Sequence, residues 1–254
     1  MSRYFLEVSY KGTNYSGFQA QKNANSIQEE VEKAFLILQK EKVLMTGSSR
    51  TDAGVHALQN FFHFDSDSLR HLLRRAGDEA QFVYKMNAIL PADIVIQKIS
   101  QVAADAHCRF DAVSREYKYF IYQKKDPFLK DIAYYFPYKM DMDKMHQAAD
   151  IIKGYNDFTS FSKRNTQVKS FICQVEKSEW YLEDKKLVYH IKGNRFLRGM
   201  VRALTATMLK AGRGTISLQE FIDIIEAKDC TKASFAVPSH GLFLIAVEYP
   251  FMIK

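Results

Sequence analysis

The chain has 254 residues, 47% of them hydrophobic, with 19 Phe and 14 Tyr, so one large domain or two small ones can bury a sizeable core. Only 5 Pro and 11 Gly exclude the low-complexity and disordered classes. The formal net charge of +7 favours an anionic partner, either nucleic acid or an acidic membrane surface. Along the first half, YFLEVSY alternates, with Tyr4, Leu6, Val8 and Tyr10 on one face of a predicted strand. The Gly-rich KGTNYSGFQ follows. SIQEEVEKAFLIL then predicts a helix opened by a Ser26/Glu29 capping box. KVLMT and NFFHF read as strands on either side of the loop at Ser48–Val55. The stretch SDSLRHLLRRAGDEAQFVYKMNAIL predicts a helical start and a turn near Leu90–Pro91, and DIVIQKIS predicts another strand.

The second half repeats the theme. REYKYFIYQ predicts a strand, with Tyr117, Tyr119 and Ile121 on one face. DMDKMHQAADIIKG predicts a helix stopped by Gly154. FICQVEKSEWYLED and KKLVYHIKG predict a hairpin turning at Glu183–Lys185. NRFLRGMVRALTATMLKAG predicts one long helix over 194–211, SLQEFIDIIEAKD a helix with a Ser217/Glu220 capping box, and GLFLIAVEY a closing strand. The expected class is therefore α/β (α+β): two similar halves, each a mostly antiparallel sheet with helices on one face and a cleft between them. The boundary is placed at 104/105, giving subdomains 1–104 and 105–254.

Cys108, Cys173 and Cys230 are far apart and form no CxxC pair, as expected of reduced thiols in the cytoplasm. MSRYFLEVSY lacks the apolar core of a secretion signal, and no apolar run is long enough to span a bilayer. No His, Cys and carboxylate set has zinc spacing, so no metal is expected. GTNYSG and GSSRTDAG fit neither a phosphate loop nor a dinucleotide fingerprint, and no GxSxG elbow occurs. No cofactor is expected.

Two features remain. In SSRTDAG, Asp52 has ordinary turn chemistry, bonding local backbone N–H groups. The alternative is a nucleophilic or electrostatic carboxylate, with Arg50 either paired to it or reaching a phosphate. On the predicted helix over 194–211, Arg195, Arg198 and Arg202 fall at i, i+3 and i+7, one face. That face is either solvated or turned towards phosphates. Lys163, Arg164 and Lys169 add charge upstream among Ser and Thr. Tyr117 is either a core tyrosine or a stacking platform for a base.

Taken together and in order, the motifs carry a resemblance. SSRTDAGVHALQNFFHF resembles the core motif of the TruA-type tRNA pseudouridine synthases. VSYKGTNYSGFQAQ, MNAILPADIVI, HCRFDAVSREYKYFIY, GYNDFTSF, GNRFLRGMVR and VPSHGLFL resemble further motifs of the same family over nearly the whole chain. The resemblance implies isomerisation of uridine to pseudouridine in the anticodon stem-loop of tRNA, at positions 38, 39 and 40, by a cytoplasmic homodimer without cofactor. It implies that Asp52 is the catalytic aspartate and Tyr117 lies against the target base. It further implies that Arg202 pairs with the catalytic carboxylate, Arg50 holds the flipped-out nucleotide, and Leu244 lies in the strand under the pocket. Lys163, Arg164, Lys169, Arg195 and Arg198 are RNA-binding candidates. The sequence departs from the family pattern at Lys11, Phe18, Ser49, Cys108 and Asn156, and fits it poorly over Asp65–Tyr84. A non-catalytic RNA-binding or chaperone module would use the same charged surface. A hydrolytic N-glycosidase would use the same carboxylate to release free uracil.

Overall fold

The computed structural model describes residues 2–73, 75–164 and 168–251. The chain divides into two compact units, Met1–Val113 with Leu244–Lys254, and Ser114–Phe243.

In the first unit, β1 (Ser2–Tyr10) lies between β3 (His56–Ser66) and β4 (Ile94–Val102), antiparallel to both, and β2 (Thr46–Gly47) adds to β3. Helices α1 (Ile27–Gln39) and α3 (Asp78–Ile89) bury one stripe each, Val31, Ala34 and Phe35 on α1 and Phe82 and Met86 on α3. Phe35 meets Phe64 and Phe82 edge-on at 5.1 and 6.1 Å, which joins both helices to one sheet face. Phe5 and Phe61 leave the other face, where the Tyr249 ring lies 5.2 Å from each. Strand β9 (Leu242–Glu248) stands beside β3. The Val247 N–H donates to Gln59 Oε1 at 3.1 Å, the Val113 N–H to the Glu248 carbonyl at 2.8 Å, and the Tyr249 hydroxyl to the Cys108 carbonyl at 2.7 Å. These bonds carry the first unit past residue 104 and return the closing strand to it.

In the second unit, β8 (Lys186–Gly193) pairs antiparallel with β5 (Ser114–Tyr122) and β7 (Val175–Glu183), and β6 (Tyr134–Tyr135) lies parallel at the edge of β5. The β7–β8 turn holds Asp184 and Lys185 at φ 48° and 65°, the left-handed pair a two-residue hairpin requires. Helix α4 (Met142–Lys153) is capped by Asp141, whose carboxylate accepts the Lys144 N–H. Helix α5 (Met200–Gly212) is buried on nearly every side, and Trp180 Nε1 of β7 reaches Met208 Sδ on it. Helix α6 (Leu218–Glu226) carries the reciprocal Ser217/Glu220 capping box, worth about 1 kcal/mol.

The expected α/β class with mostly antiparallel sheets holds. Two local expectations do not. The helix expected over 194–211 begins only at Met200, because Gly199 takes φ +76° and the Asn194 side chain accepts the Gln174 N–H instead of opening a helix. The helical start expected in the stretch from Ser66 does form, as α2 (Ser68–Leu72), and α3 follows it, with Gly77 at φ +96° between them and Leu90 ending it before Pro91. At Ser26 the hydroxyl accepts the Glu29 N–H, but the Glu29 return bond that completes a capping box is not formed.

Candidate active site

In the first unit the loop Ser48–Val55 joins β2 to β3, and it is fixed from three sides. Asn60 is fully buried on β3; its Oδ1 accepts the Ser49 N–H at 3.2 Å and its Nδ2 donates to the Ser49 carbonyl at 2.9 Å. The same Nδ2 donates to the Tyr10 hydroxyl at 3.2 Å, and that hydroxyl lies 2.7 Å from Thr51 Oγ1. A second clamp comes from residues 12–18. The Phe18 N–H donates to the Thr51 carbonyl at 3.1 Å, and the Gly12 N–H to His56 Nδ1 at 3.0 Å. Gly12 must be glycine here, since a Cβ would stand 2.1 Å from the Val55 carbonyl oxygen. Finally the Val55 N–H closes a turn on the Asp52 carbonyl at 3.2 Å, with Gly54 at φ +76°.

The clamped backbone leaves Asp52 half-buried and Arg50 exposed, and Arg50 makes no ion pair among the described residues. At the start of the loop, the Ser48 and Ser49 hydroxyls are buried with no hydrogen-bond partner among the described residues. Phe18, where the family pattern has Trp, stacks on Phe62 at 4.5 Å and 13°. Its ring fills the space in which a Cβ on Gly47 would fall 2.2 Å from it. Leu244 is fully buried in β9 of the same unit.

In the second unit, Tyr117 on β5 is half-buried and meets Phe196 edge-on at 5.2 Å and 87°. Arg202, in the first turns of α5, donates through Nε and Nη2 to the Val237 carbonyl at 3.1 and 2.7 Å. This orients the half-buried guanidinium by its backbone partner. The neighbouring Tyr119 hydroxyl donates to the Pro238 carbonyl at 2.7 Å, and burial raises its pKa well above the usual phenol value. Arg195 and Arg198 precede α5 and so do not share a helix face with Arg202. The Lys163 N–H donates to the Arg198 carbonyl at 3.0 Å, and Gly199 approaches the Lys163 stem so closely that a Cβ would fall 3.1 Å from its Cγ. Lys163 and Arg198 are thus brought together at the start of α5. Arg164 and Lys169 are exposed on the chain that follows Lys163.

Sequence reasoning missed Asn60, Tyr10 and Gly12 as supports of the loop. Only their placement on β1, the following turn and β3 links them to it. Among the described residues no group of three metal-ligating side chains gathers, and no helix is long and apolar enough to cross a membrane.

The profile of the family described as tRNA pseudouridine synthase matches residues 7–111 and again 148–250. The chain is 43% identical to tRNA pseudouridine synthase A of Parabacteroides distasonis over 98% of its own length and 97% of the relative's. It is 40% identical to the Porphyromonas gingivalis protein of that name, over 98% of each chain. It is 36% identical to the Staphylococcus aureus one, over 95% of this chain and 90% of that one. Identities of 36–43% over nearly the whole chain, with the family profile matching residues 7–111 and 148–250, mean that the chain belongs to the tRNA pseudouridine synthase A family, isomerases that convert uridine to pseudouridine.

Proposed function

We propose that this chain isomerises uridine at positions 38, 39 and 40 in the anticodon stem-loop of tRNA, with Asp52 as its catalytic carboxylate. The observation that carries this reading is the clamp on the Asp52 loop. Asn60, Tyr10 and Gly12 fix the backbone on both sides of one half-buried carboxylate. Pre-set geometry of this kind is what a reacting group requires, since orientation lowers the barrier more than flexibility can.

The target uridine leaves its stack at a cost of a few kcal/mol, which cations on the phosphates offset. Asp52 acts at or near ribose C1′, by attack or by proton abstraction. The C1′–N1 bond breaks, the detached uracil turns, and a C1′–C5 bond forms. The C5 proton then leaves to solvent and N1 regains one. Atoms and electrons balance without a donor or redox partner. Tyr117 faces the base, with its edge-on partner Phe196 limiting its tilt. Arg202 supports the carboxylate and Arg50 holds the nucleotide through its exposed guanidinium. Leu244 lines the floor. Lys163, Arg164, Lys169, Arg195 and Arg198 contact the RNA backbone. A homodimer acting in the cytoplasm belongs to the same reading.

Tritium release tests it. Unmodified tRNA carrying tritium at uridine C5 is mixed with excess protein. Wild type should release one tritium per isomerised uridine, and Asp52→Asn none, while both bind the tRNA. Equal release by the two proteins would remove Asp52 from the chemistry.

A further inference from the structure

The segment between β5 and α4 has no part in the site described above. Within it Phe128 is 88% exposed, the most exposed large apolar side chain among the described residues. One exposed phenyl ring is ordinary on a protein surface. Here the backbone that presents the ring is fixed. The Asp126 carboxylate accepts the Phe128 N–H at 2.9 Å, Pro127 fixes the first residue of the turn, and the Ile132 and Ala133 N–H groups both donate to the Leu129 carbonyl.

Lys124, Lys125 and Lys130 flank Phe128 in the sequence, exposed and without an ion pair among the described residues. The acids of this stretch are Asp126, engaged in the cap, and Asp131. The far end of the segment returns to the same place, since Gln123 Nε2 donates to the Tyr138 carbonyl. Tyr138 is 46% exposed, and the Arg213 guanidinium lies over its ring at 3.9 Å. Lysines are depleted at the centre of protein–protein interfaces. Rigid aromatic faces interleaved with free cations are the composition of surfaces that take single-stranded nucleic acid.

We propose that Phe128, Lys124, Lys125 and Lys130, with the Tyr138–Arg213 pair beside them, form a second contact for tRNA, stacking one unpaired base on Phe128 and holding its flanking phosphates on the lysines. This rests on the tRNA-modifying reading. Tyr122, from which the segment departs, lies five residues along β5 from Tyr117, about 17 Å at strand spacing. The contact therefore falls on RNA away from the target nucleotide.

The test uses the full-length protein and unmodified tRNA. Dissociation constants and pseudouridine kinetics are measured for wild type, Phe128→Ala, Phe128→Trp and the triple variant Lys124→Ala/Lys125→Ala/Lys130→Ala. Phe128→Ala should weaken tRNA binding about tenfold, visible as a raised KM, and Phe128→Trp should retain it. The triple variant should lower the salt slope of binding by about 2. Unchanged affinity and KM in Phe128→Ala would overturn the proposal, including the case in which only self-association weakens, as an apolar contact between copies would give. If wild type makes pseudouridine and the variants match it, this contact alone fails. If wild type binds tRNA and makes none, the enzymatic reading fails, and the binding measurements still decide the contact.

Discussion

The Tyr10 hydroxyl, at the end of β1, lies 2.7 Å from the hydroxyl of Thr51, the residue before Asp52. The two are far apart in sequence and both are buried, so the bond ties the Asp52 loop to the centre of a sheet. A double-mutant cycle with Tyr10→Phe and Thr51→Val should give a coupling of about 1 kcal/mol in urea unfolding. Pseudouridine formation should fall in each single variant. Additive stability changes would show that the bond does not hold the loop.

Asn60 supports the same loop by bonding both the N–H and the carbonyl of Ser49. Asn60→Ala leaves these buried groups without that partner, at a cost of about 3 kcal/mol. Asn60→Asp keeps an acceptor for the Ser49 N–H but, when ionised, buries an unpaired charge against the Ser49 carbonyl, so it should destabilise at least as much. Chemical denaturation of the three proteins checks the order.

Gly12 has no space for a side chain against Val55. Gly12→Ala should destabilise by about 1–3 kcal/mol through overpacking. It should also lower kcat on the order of a hundredfold, since an ångström-scale shift of a reacting group has that effect. Wild-type kcat in a folded Gly12→Ala protein would show that loop position does not limit the chemistry.

His63 on β3 has its pKa pushed down to about 4, first by burial and then by the nearby His107, whose ring centroid is 4.4 Å away. Its Nδ1 accepts the Cys108 N–H at 3.4 Å and faces Cys108 Sγ at 3.1 Å, an arrangement suited to the neutral ring. Between pH 6.5 and 4 the unfolded chain therefore binds a proton that the folded protein does not. Stability is full above pH 6.5 and falls as pH falls through that window, by at most about 3 kcal/mol. Unfolding free energies measured from pH 8 to 4 should show this slope, and His63→Gln should flatten it. An identical slope in the variant would assign the acid sensitivity elsewhere.

Strands and amphipathic helices were legible because periodicity reports burial directly. The alternation of Tyr4, Leu6, Val8 and Tyr10 and the stripe of α1 both follow it. The helix start at Met200 was not legible, because nothing in the spacing of Arg195, Arg198 and Arg202 shows that Gly199 adopts a left-handed conformation. The Asp52 loop was legible as a motif, but its supports were not. Asn60 reads as one more strand residue until the register of β1 on β3 places Val8 opposite it and brings Tyr10 within reach. The place of β9 was hidden for the same reason, since a closing strand carries no mark of the unit to which it returns.

In the proposed function Asp52 drives isomerisation in the anticodon arm. Position-resolved pseudouridine mapping of unmodified tRNA, treated with wild type and with Asp52→Asn, tests it most directly. Pseudouridine should form at 38, 39 or 40 with wild type and not with the variant. Pseudouridine from Asp52→Asn at the wild-type level, or tight tRNA binding with no pseudouridine from wild type, would contradict it.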